Sequence, residues 1–317
     1  NGFHAPTVPQ VKAALQGFGV TGDRYACSPD LLAVATAQGA ICQPGASAYD
    51  VVAGGNANLQ PEKSKQATLG VRYEPSSAWS LGADLWHVQL SDRIGQITEQ
   101  VVFANPGAFP NAWTSRRDLV TGNNYLAFLV NNQNLGKSFS TGLDLDFTSR
   151  VNNGWGQWTT QLTMTYLMRE VSQLEKGGAY YSAVGNFAQL GTVSFRTQGR
   201  LATSLKSGDW THTLAANFKS GYRDQETTVN ILDAAGTITG TQDIRVHAGA
   251  YATFDWQSTW AVASGWTVSA GALNLFNRSP PFVASISGTN RGQQFGYDDR
   301  YYDARGRTVY VNVSYKF

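Results

Sequence analysis

Residues 56–75 read NANLQPEKSKQATLGVRYEP, and this stretch decides the fold. A polar turn ends at Pro61 and Glu62. Strict period two follows, with Leu69, Val71 and Tyr73 on one side and Thr68, Gly70, Arg72 and Glu74 on the other. Pro75, with Ser76 and Ser77, stops the run, because proline has no N–H to give to a ladder. Trp79 opens a second run, Trp79, Leu81, Ala83 and Leu85 against Ser80, Gly82 and Asp84. The two runs predict a hairpin with one apolar and one polar face. The rest of the chain must say whether the apolar face meets a protein core or lipid.

Composition narrows the choice. Charged residues make up 15% of the 317 and the net charge is +2, against roughly 25% charged in soluble domains. Aromatic residues reach 12%, and there are 33 glycines. No apolar run approaches the ~18–20 residues of a membrane helix. Few charges, many aromatics and many glycines suit a transmembrane β-barrel, whose strands are apolar on one side only; a secreted β-sandwich shares these features. The charge balance makes no case for nucleic acid as a partner. The two cysteines, Cys27 and Cys42, lie close together in a loop-like region. That even count, together with other signs of export, predicts a disulfide between them. The sequence shows no signal peptide and opens at Asn1 without Met, as expected of an internal point of a longer precursor or a proteolytic boundary.

Residues 1–63 read as the end of a strand followed by a long loop that carries both cysteines, with a short helix within 11–18. Residues 64–317 read as paired strands. Extended segments are expected at 65–74, 79–90 and 94–103, and over the whole of 125–149. Others are expected at 155–168, 190–205, 210–221, 250–262, 266–276 and 304–317. Long loops are expected at 222–249 and 277–303. Short connections fall at 75–78, 151–154, 206–209 and 264–265, and long ones alternate with them. Outer-membrane barrels have this asymmetry, with short periplasmic turns and long extracellular loops. A tryptophan follows each short turn: Trp79, Trp155, Trp210 and Trp266. Indole rings favour the membrane–water interface, so the four predict a periplasmic aromatic girdle and outer-membrane lipid as a partner.

The sequence also resembles the C-terminal part of the TonB-dependent outer-membrane receptors. GFHAP at 2–6 is similar to the family's G-F-R-A-P, with His4 in place of Arg. GGNANLQPEKSKQATLGVRYEP at 54–75 is similar to G-N-P-x-L-x-P-E-x-S, followed later by G-x-x-x-x-P. NLGKSFSTGLDLDF at 134–147, ALNLFNRSPPF at 272–282 and YDARGRTVYVNVSYKF at 302–317 follow in the family's order. The resemblance implies about 9–10 strands of a 22-stranded barrel in the outer membrane of a Gram-negative bacterium. It implies an N-terminal plug, a TonB box and an earlier half of the barrel that this chain does not carry. Either the chain is part of a longer protein or a second chain completes the barrel, since open edges in hydrocarbon are costly. The TonB complex and the barrel-assembly machinery are the partners implied, the latter through a closing strand with Val313, Tyr315 and the terminal Phe317.

Chemistry is sparse. His4, His87, His212 and His247 have no metal-ligand spacing, and His212 shares the parity of Trp210 and Leu214. Asp298 and Asp299 are too few for a calcium cage. No Ser/His pair suggests a hydrolase, and neither a cofactor nor a metal is expected. The long loops hold Trp113, Arg116, Arg117, Tyr180, Tyr181, Arg223, Phe282, Arg291, Tyr297, Arg300, Tyr301 and Tyr302. Arginine and aromatic side chains are enriched at recognition surfaces, so these are candidate ligand contacts; they also serve to fold loops upon themselves. The expected function is import of an extracellular ligand, a ferric siderophore or similar, driven through TonB. The alternative is a non-transporting barrel with a structural or adhesin-like role.

Overall fold

The computed structural model describes residues 1–187, 192–262, 265–283 and 296–316, apart from the side chain of residue 227. One antiparallel wall dominates. Its strands, in chain order, are β1 (Gly2–His4), β2 (Glu62–Ser76), β3 (Trp79–Ser91), β4 (Ser138–Asn153) and β5 (Gly156–Gln173). Then come β6 (Thr197–Ser207), β7 (Trp210–Lys219), β8 (Tyr251–Ala261), β9 (Trp266–Leu273) and β10 (Thr308–Tyr315). Each pairs with its sequence neighbour, so spatial order follows chain order from β1 to β10, and Tyr180–Ser182 adds a short strand to the outer end of β5.

The register turns the period-two pattern into rows that cross the wall. Val71, Ala83, Leu145, Met164, Gly199 and Phe218 stand side by side on six successive strands. So do Tyr73, Leu81, Phe147, Leu162, Leu201, Ala216 and Phe254. Between them runs a polar row, Arg72, Gly82, Asp146, Thr163, Arg200, Asn217 and Thr253. Leu69, Val71 and Tyr73 are exposed, as are Val309, Val311 and Val313 at the far edge. A soluble core would cover them; a transmembrane wall turns such a face to lipid.

The polar face is cross-linked instead. Arg72 reaches Asp146 across β3 at 3.2 Å, Arg200 approaches Asp255 at 3.5 Å, and Thr165 donates to Asp144 at 2.7 Å. Two glycines make room for this. A Cβ at Gly70 would meet the Asp84 carboxylate and one at Gly82 that of Asp146.

The inner end is finished by turns of two residues at 77–78, 154–155 and 208–209. Residue 264 of the turn expected at 264–265 lies outside the described residues. The outer end carries folded loops. Residues 5–61 and 92–137 together build a knob with a mixed sheet ordered Gln16–Val20, Asp50–Gly54, Asn124–Asn131 and Trp113–Arg117. Two helices, α1 (Val8–Lys12) and α2 (Pro29–Ala37), lie in the first segment, and α3 (Glu99–Ala104) in the second. In α2, Ser28 caps the N-terminus by accepting from Leu31 N at 3.2 Å, Pro29 suits the first turn, and Leu31 and Ala35 are buried. Cys27 and Cys42 flank α2 and are joined, with Cα atoms 5.9 Å apart; closing a loop of this size is worth about 3 kcal/mol. Phe103 centres the knob, stacked on Tyr25 at 3.8 Å and edge-on to Trp113 at 4.9 Å. Glu99 ties the two segments, accepting from the Gly22 and Asp23 amides at 3.1 and 3.0 Å.

Several sequence expectations are corrected. The long loop expected within 1–63 carries helices and strands, and Phe103, Trp113, Leu126 and Phe128 of the second segment complete its core. The strand expected over 94–103 is short, Ile94–Gly95, and gives way to α3. The single strand expected over 125–149 is split. Its first part pairs parallel to Asp50–Gly54 in the knob, and only from Ser138 does the chain join the wall. The break falls between Asn131 and Ser138, where Gln133–Asn134 pairs with Ile94–Gly95 outside the wall and Asn134 Nδ2 donates to the carbonyls of Gln60 and Asp92. The loop expected at 222–249 is a hairpin, Tyr222–Leu232 with Ile238–Ala248, which Asp233 closes by accepting from Ala235 N and Thr237 N.

A candidate ligand site at the outer mouth of the wall

The outer ends of β5 to β8 put Thr165, Gln198, Arg200, Asn217, Lys219, Thr253 and Asp255 on the lumen side. The segment 296–307, between β9 and β10, packs beside them, and its residues 301–306 line with them an open cavity of about 590 Å³. Its hold on the wall is specific. Lys219 Nζ donates to the Tyr301 carbonyl at 2.6 Å, and the Tyr301 hydroxyl accepts from Val193 N at 2.9 Å. Tyr302 is buried with Val193, Tyr222, Ala248 and Val283, while Phe195 packs edge-on against Tyr222, Tyr301 and Tyr302. The Lys219 ammonium lies over the Phe195 and Tyr302 rings at 5.5 and 5.7 Å. Asp298, also buried, accepts from the Arg300 guanidinium.

Three cations, Arg200, Lys219 and Arg305, line the cavity against two carboxylates, Asp255 and Asp303. Arg200 donates to Asn217 Oδ1 at 2.6 Å. The Arg305 guanidinium, bonded to Asp303, holds that carboxyl down at about 2. Arg300 is raised above its ordinary value by its bonds to Asp298. Burial pushes the Tyr222 and Tyr302 phenols far above the usual range, with Asp298 adding to it. The wall thus offers N–H and O–H donors to an oxygen-rich ligand, with aromatic faces at the rim. Among the described residues no cluster of His, Cys, Asp and Glu is placed to hold a metal ion.

The sequence-predicted residues separate into distinct places. Tyr301 and Tyr302 line this cavity, and Tyr297 packs beside them. Arg223 is exposed and its carbonyl accepts from Phe187 N at 2.8 Å. Arg116 and Arg117 lie on the knob's edge hairpin, Arg116 3.3 Å from Asp50. Trp113 is buried, its Nε1 donating to the Pro106 carbonyl at 3.1 Å, so it packs the knob and presents no face to a ligand. Tyr181 lines a smaller cavity of about 210 Å³ beside Val101, Phe109 and Leu174. Tyr180 packs on Phe139, on the outward side of the wall, at 5.7 Å. Phe282 is exposed, and Arg291 lies outside the described residues.

At the inner end Trp79, Trp155, Trp210 and Trp266 are all exposed. Trp260 joins them, stacked on Trp210 at 5.6 Å, and Tyr315 packs on Trp266 at 4.8 Å. His212 stacks on Trp210 and its Nδ1 is 2.6 Å from Ser258 Oγ, as its parity predicted. Val313 and Tyr315 lie on the outward face of β10; Phe317 lies outside the described residues. Sequence reasoning missed Arg200, Lys219, Asn217 and Arg305. The signal for the first was present, since Arg200 alternates with Leu201, but Arg305 is brought in by a loop that no periodicity predicts.

An antiparallel wall with apolar rows outside, ion-paired rows inside, short turns at one end and folded loops at the other is the wall of a transmembrane β-barrel. The chain belongs to the TonB-dependent receptor β-barrel family: the family described as TonB dependent receptor-like, beta-barrel, matches residues 2–275. This is an outer-membrane family of Gram-negative bacteria. Among solved structures, the siderophore receptor PirA of Acinetobacter baumannii is similar at a TM-score of 0.58 and 15% identity, over 99% of this chain and 38% of that one. A ferric enterobactin receptor (PfeA) mutant of Pseudomonas aeruginosa, solved in complex with enterobactin, is similar at a TM-score of 0.59 and 15% identity, over 98% and 36%. The chain therefore spans little more than a third of the receptors it matches. No curated protein matches the chain.

Proposed function

We propose that the chain forms part of an outer-membrane receptor that binds an extracellular ligand and imports it with energy delivered through TonB. The carrying observation is the cavity beside residues 301–306, which opens from the lumen side of a family-typical wall and presents Arg200, Lys219, Asn217, Tyr301 and Arg305. These donors suit a ligand rich in carboxylate or catecholate oxygens, such as a ferric siderophore. Arg116 and Arg117 on the knob, with Arg223, Tyr297, Arg300 and Arg291, are the proposed first contacts from outside. The resemblance to receptors whose described ligands are siderophores supports the same class. The remaining barrel strands, a plug and the segment that engages TonB come from the rest of the protein or from a second chain. Val313, Tyr315 and Phe317 serve as the signal for barrel assembly.

The test is uptake of labelled ferric chelates by cells that lack or carry the intact protein, with and without a working TonB. Uptake that requires both is the expected result. Surface attachment without uptake would contradict import and support an adhesin-like barrel. In purified protein, Arg200→Gln with Lys219→Gln weakens ligand binding about tenfold, the loss of one or two charge-assisted hydrogen bonds; unchanged affinity would move the site elsewhere.

A further inference from the structure

The smaller cavity lies where the knob meets the outer end of β5, and its chemistry is the reverse of the first. Its volume is about 210 Å³, below the ~300–1,000 Å³ of sites for drug-sized ligands. That size suits a side chain or a small molecule. Two parts of the chain, about seventy residues apart, bring it together. The knob supplies Val101 and Ala104 of α3 and, beyond them, Phe109. The connection after β5 supplies Leu174, Glu175 and Tyr181. Glu175 is the one charged residue among the described residues that line the cavity.

Glu175 is held against the cavity wall by a tight turn. Gly178 N donates to the Glu175 carbonyl at 3.2 Å, and Gly177 takes a φ of 80° to let the chain reverse. The Glu175 side chain then folds back over Gly178, which also lines the cavity. A Cβ at Gly178 would lie 2.8 Å from Glu175 Cγ and 3.3 Å from its Oε1. No ion pair reaches this carboxylate from the described residues, and the adjacent Lys176 is taken by Asp92 at 2.6 Å. A second set of acceptors faces it. α3 ends at Ala104, and the carbonyls of a helix's last turn have no intrahelical partner. Between the two, Phe109 and Leu174 are buried and supply apolar surface, and Tyr181 adds a part-exposed ring.

We propose that this cavity binds a primary ammonium on a short apolar stem, carried by a small alkylamine or by a lysine side chain. The ammonium donates to the Glu175 carboxylate and to carbonyls at the end of α3. The stem lies on Phe109 and Leu174, as lysine stems lie on apolar surface, and the Tyr181 ring adds a cation–π contact. An occupant ties the knob to the end of β5, because the two sides of the cavity belong to those two elements. The inference is independent of import and of the cavity beside Tyr301.

The test is calorimetric titration of the intact protein in detergent micelles with n-pentylamine, with its neutral counterpart n-pentanol and with N-acetyl-lysine methylamide. Glu175→Gln protein in the same micelles is the reference, so partition of the probes into detergent cancels. Wild-type protein binds pentylamine saturably, at least about tenfold more tightly than it binds pentanol and than Glu175→Gln binds the amine, the loss of one charge-assisted hydrogen bond. Ala179→Trp, which fills the cavity from an exposed position, abolishes binding. Arg200→Gln/Lys219→Gln, in the other cavity, binds the amine as wild type does. Heat-modifiable migration confirms that each variant folds. Tighter binding of the lysine amide assigns the ammonium to a peptide, and tighter binding of pentylamine assigns it to a free amine. Equal affinity for pentylamine and pentanol, binding by Glu175→Gln or Ala179→Trp that matches wild type, or no saturable heat from wild-type protein overturns the site. None of these results bears on import.

Discussion

Gly82 shows how single positions shape the lumen. It faces inward between Arg72 and Asp146, and its missing side chain lets the Asp146 carboxylate lie across β3 to reach Arg72. Gly82→Val should displace that carboxylate, break the pair and lower stability by about 1–3 kcal/mol, whereas Ala83→Val, one residue on and facing lipid, should change it little; thermal unfolding of the two proteins checks this. The buried phenols set an alkaline limit. Tyr25, Tyr222 and Tyr302 are raised from an ordinary 10.0, first by burial, so the folded loops favour the neutral ring. A phenol with a raised folded pKa contributes stability in full below the unfolded value. That stability is lost as pH climbs above about 10, because the unfolded chain then ionises first. Phenolate absorbance should therefore appear for these rings only with cooperative loosening of the loops. Ionisation of all tyrosines near pH 10 without loss of loop structure would contradict their placement.

At the scale of elements, the wall strands were legible because lipid and lumen impose opposite demands on alternate residues. The pattern survives in nearly every strand from β2 to β10, and Leu69 to Tyr73 alone predicted the outward face correctly. Leu145→Arg should cost about 2–4 kcal/mol, as a charge placed near mid-bilayer, while Thr163→Arg on the next, lumen-facing row should cost much less; chemical unfolding in lipid vesicles distinguishes them. The outer elements were less legible. The 125–149 run is apolar at its start and alternating at its end, with the polar NNQN at 131–134 between, yet only its second half enters the wall, since the first half finds a better burial in the knob against Phe103 and Trp113. Local pattern carries no information on that choice. Trp113 packs the knob core for the same reason: an aromatic in a loop reads alike in the sequence whether it faces a ligand or a loop core. The disulfide was legible from cysteine count and context. Cys27→Ser should lower knob stability by about 3 kcal/mol and speed amide exchange at Leu126 and Phe128 without affecting β4 or β5. Exchange that quickened equally in the wall would show that the knob is not an independent unit.

The whole molecule is organised by two surfaces of one sheet. The outward surface is apolar over its middle, aromatic at the inner rim and cationic at part of the outer rim. The inward surface is ion-paired and leads up to a donor-lined cavity beside a tyrosine-anchored segment. Family membership accounts for the wall, and transport follows from it only as a proposal, because the chain spans about 38% of a similar receptor. Ligand binding from the lumen side and import both depend on which face meets lipid. Cysteine-scanning along 158–167 of β5 in the intact, reconstituted protein tests this directly, with a fluorophore at each position challenged by a lipid-dissolved and by an aqueous quencher. Positions 158, 160, 162, 164 and 166 should be quenched from lipid and positions 159, 161, 163, 165 and 167 from water or not at all. Quenching that did not alternate, or that alternated in the opposite phase, would contradict the barrel wall.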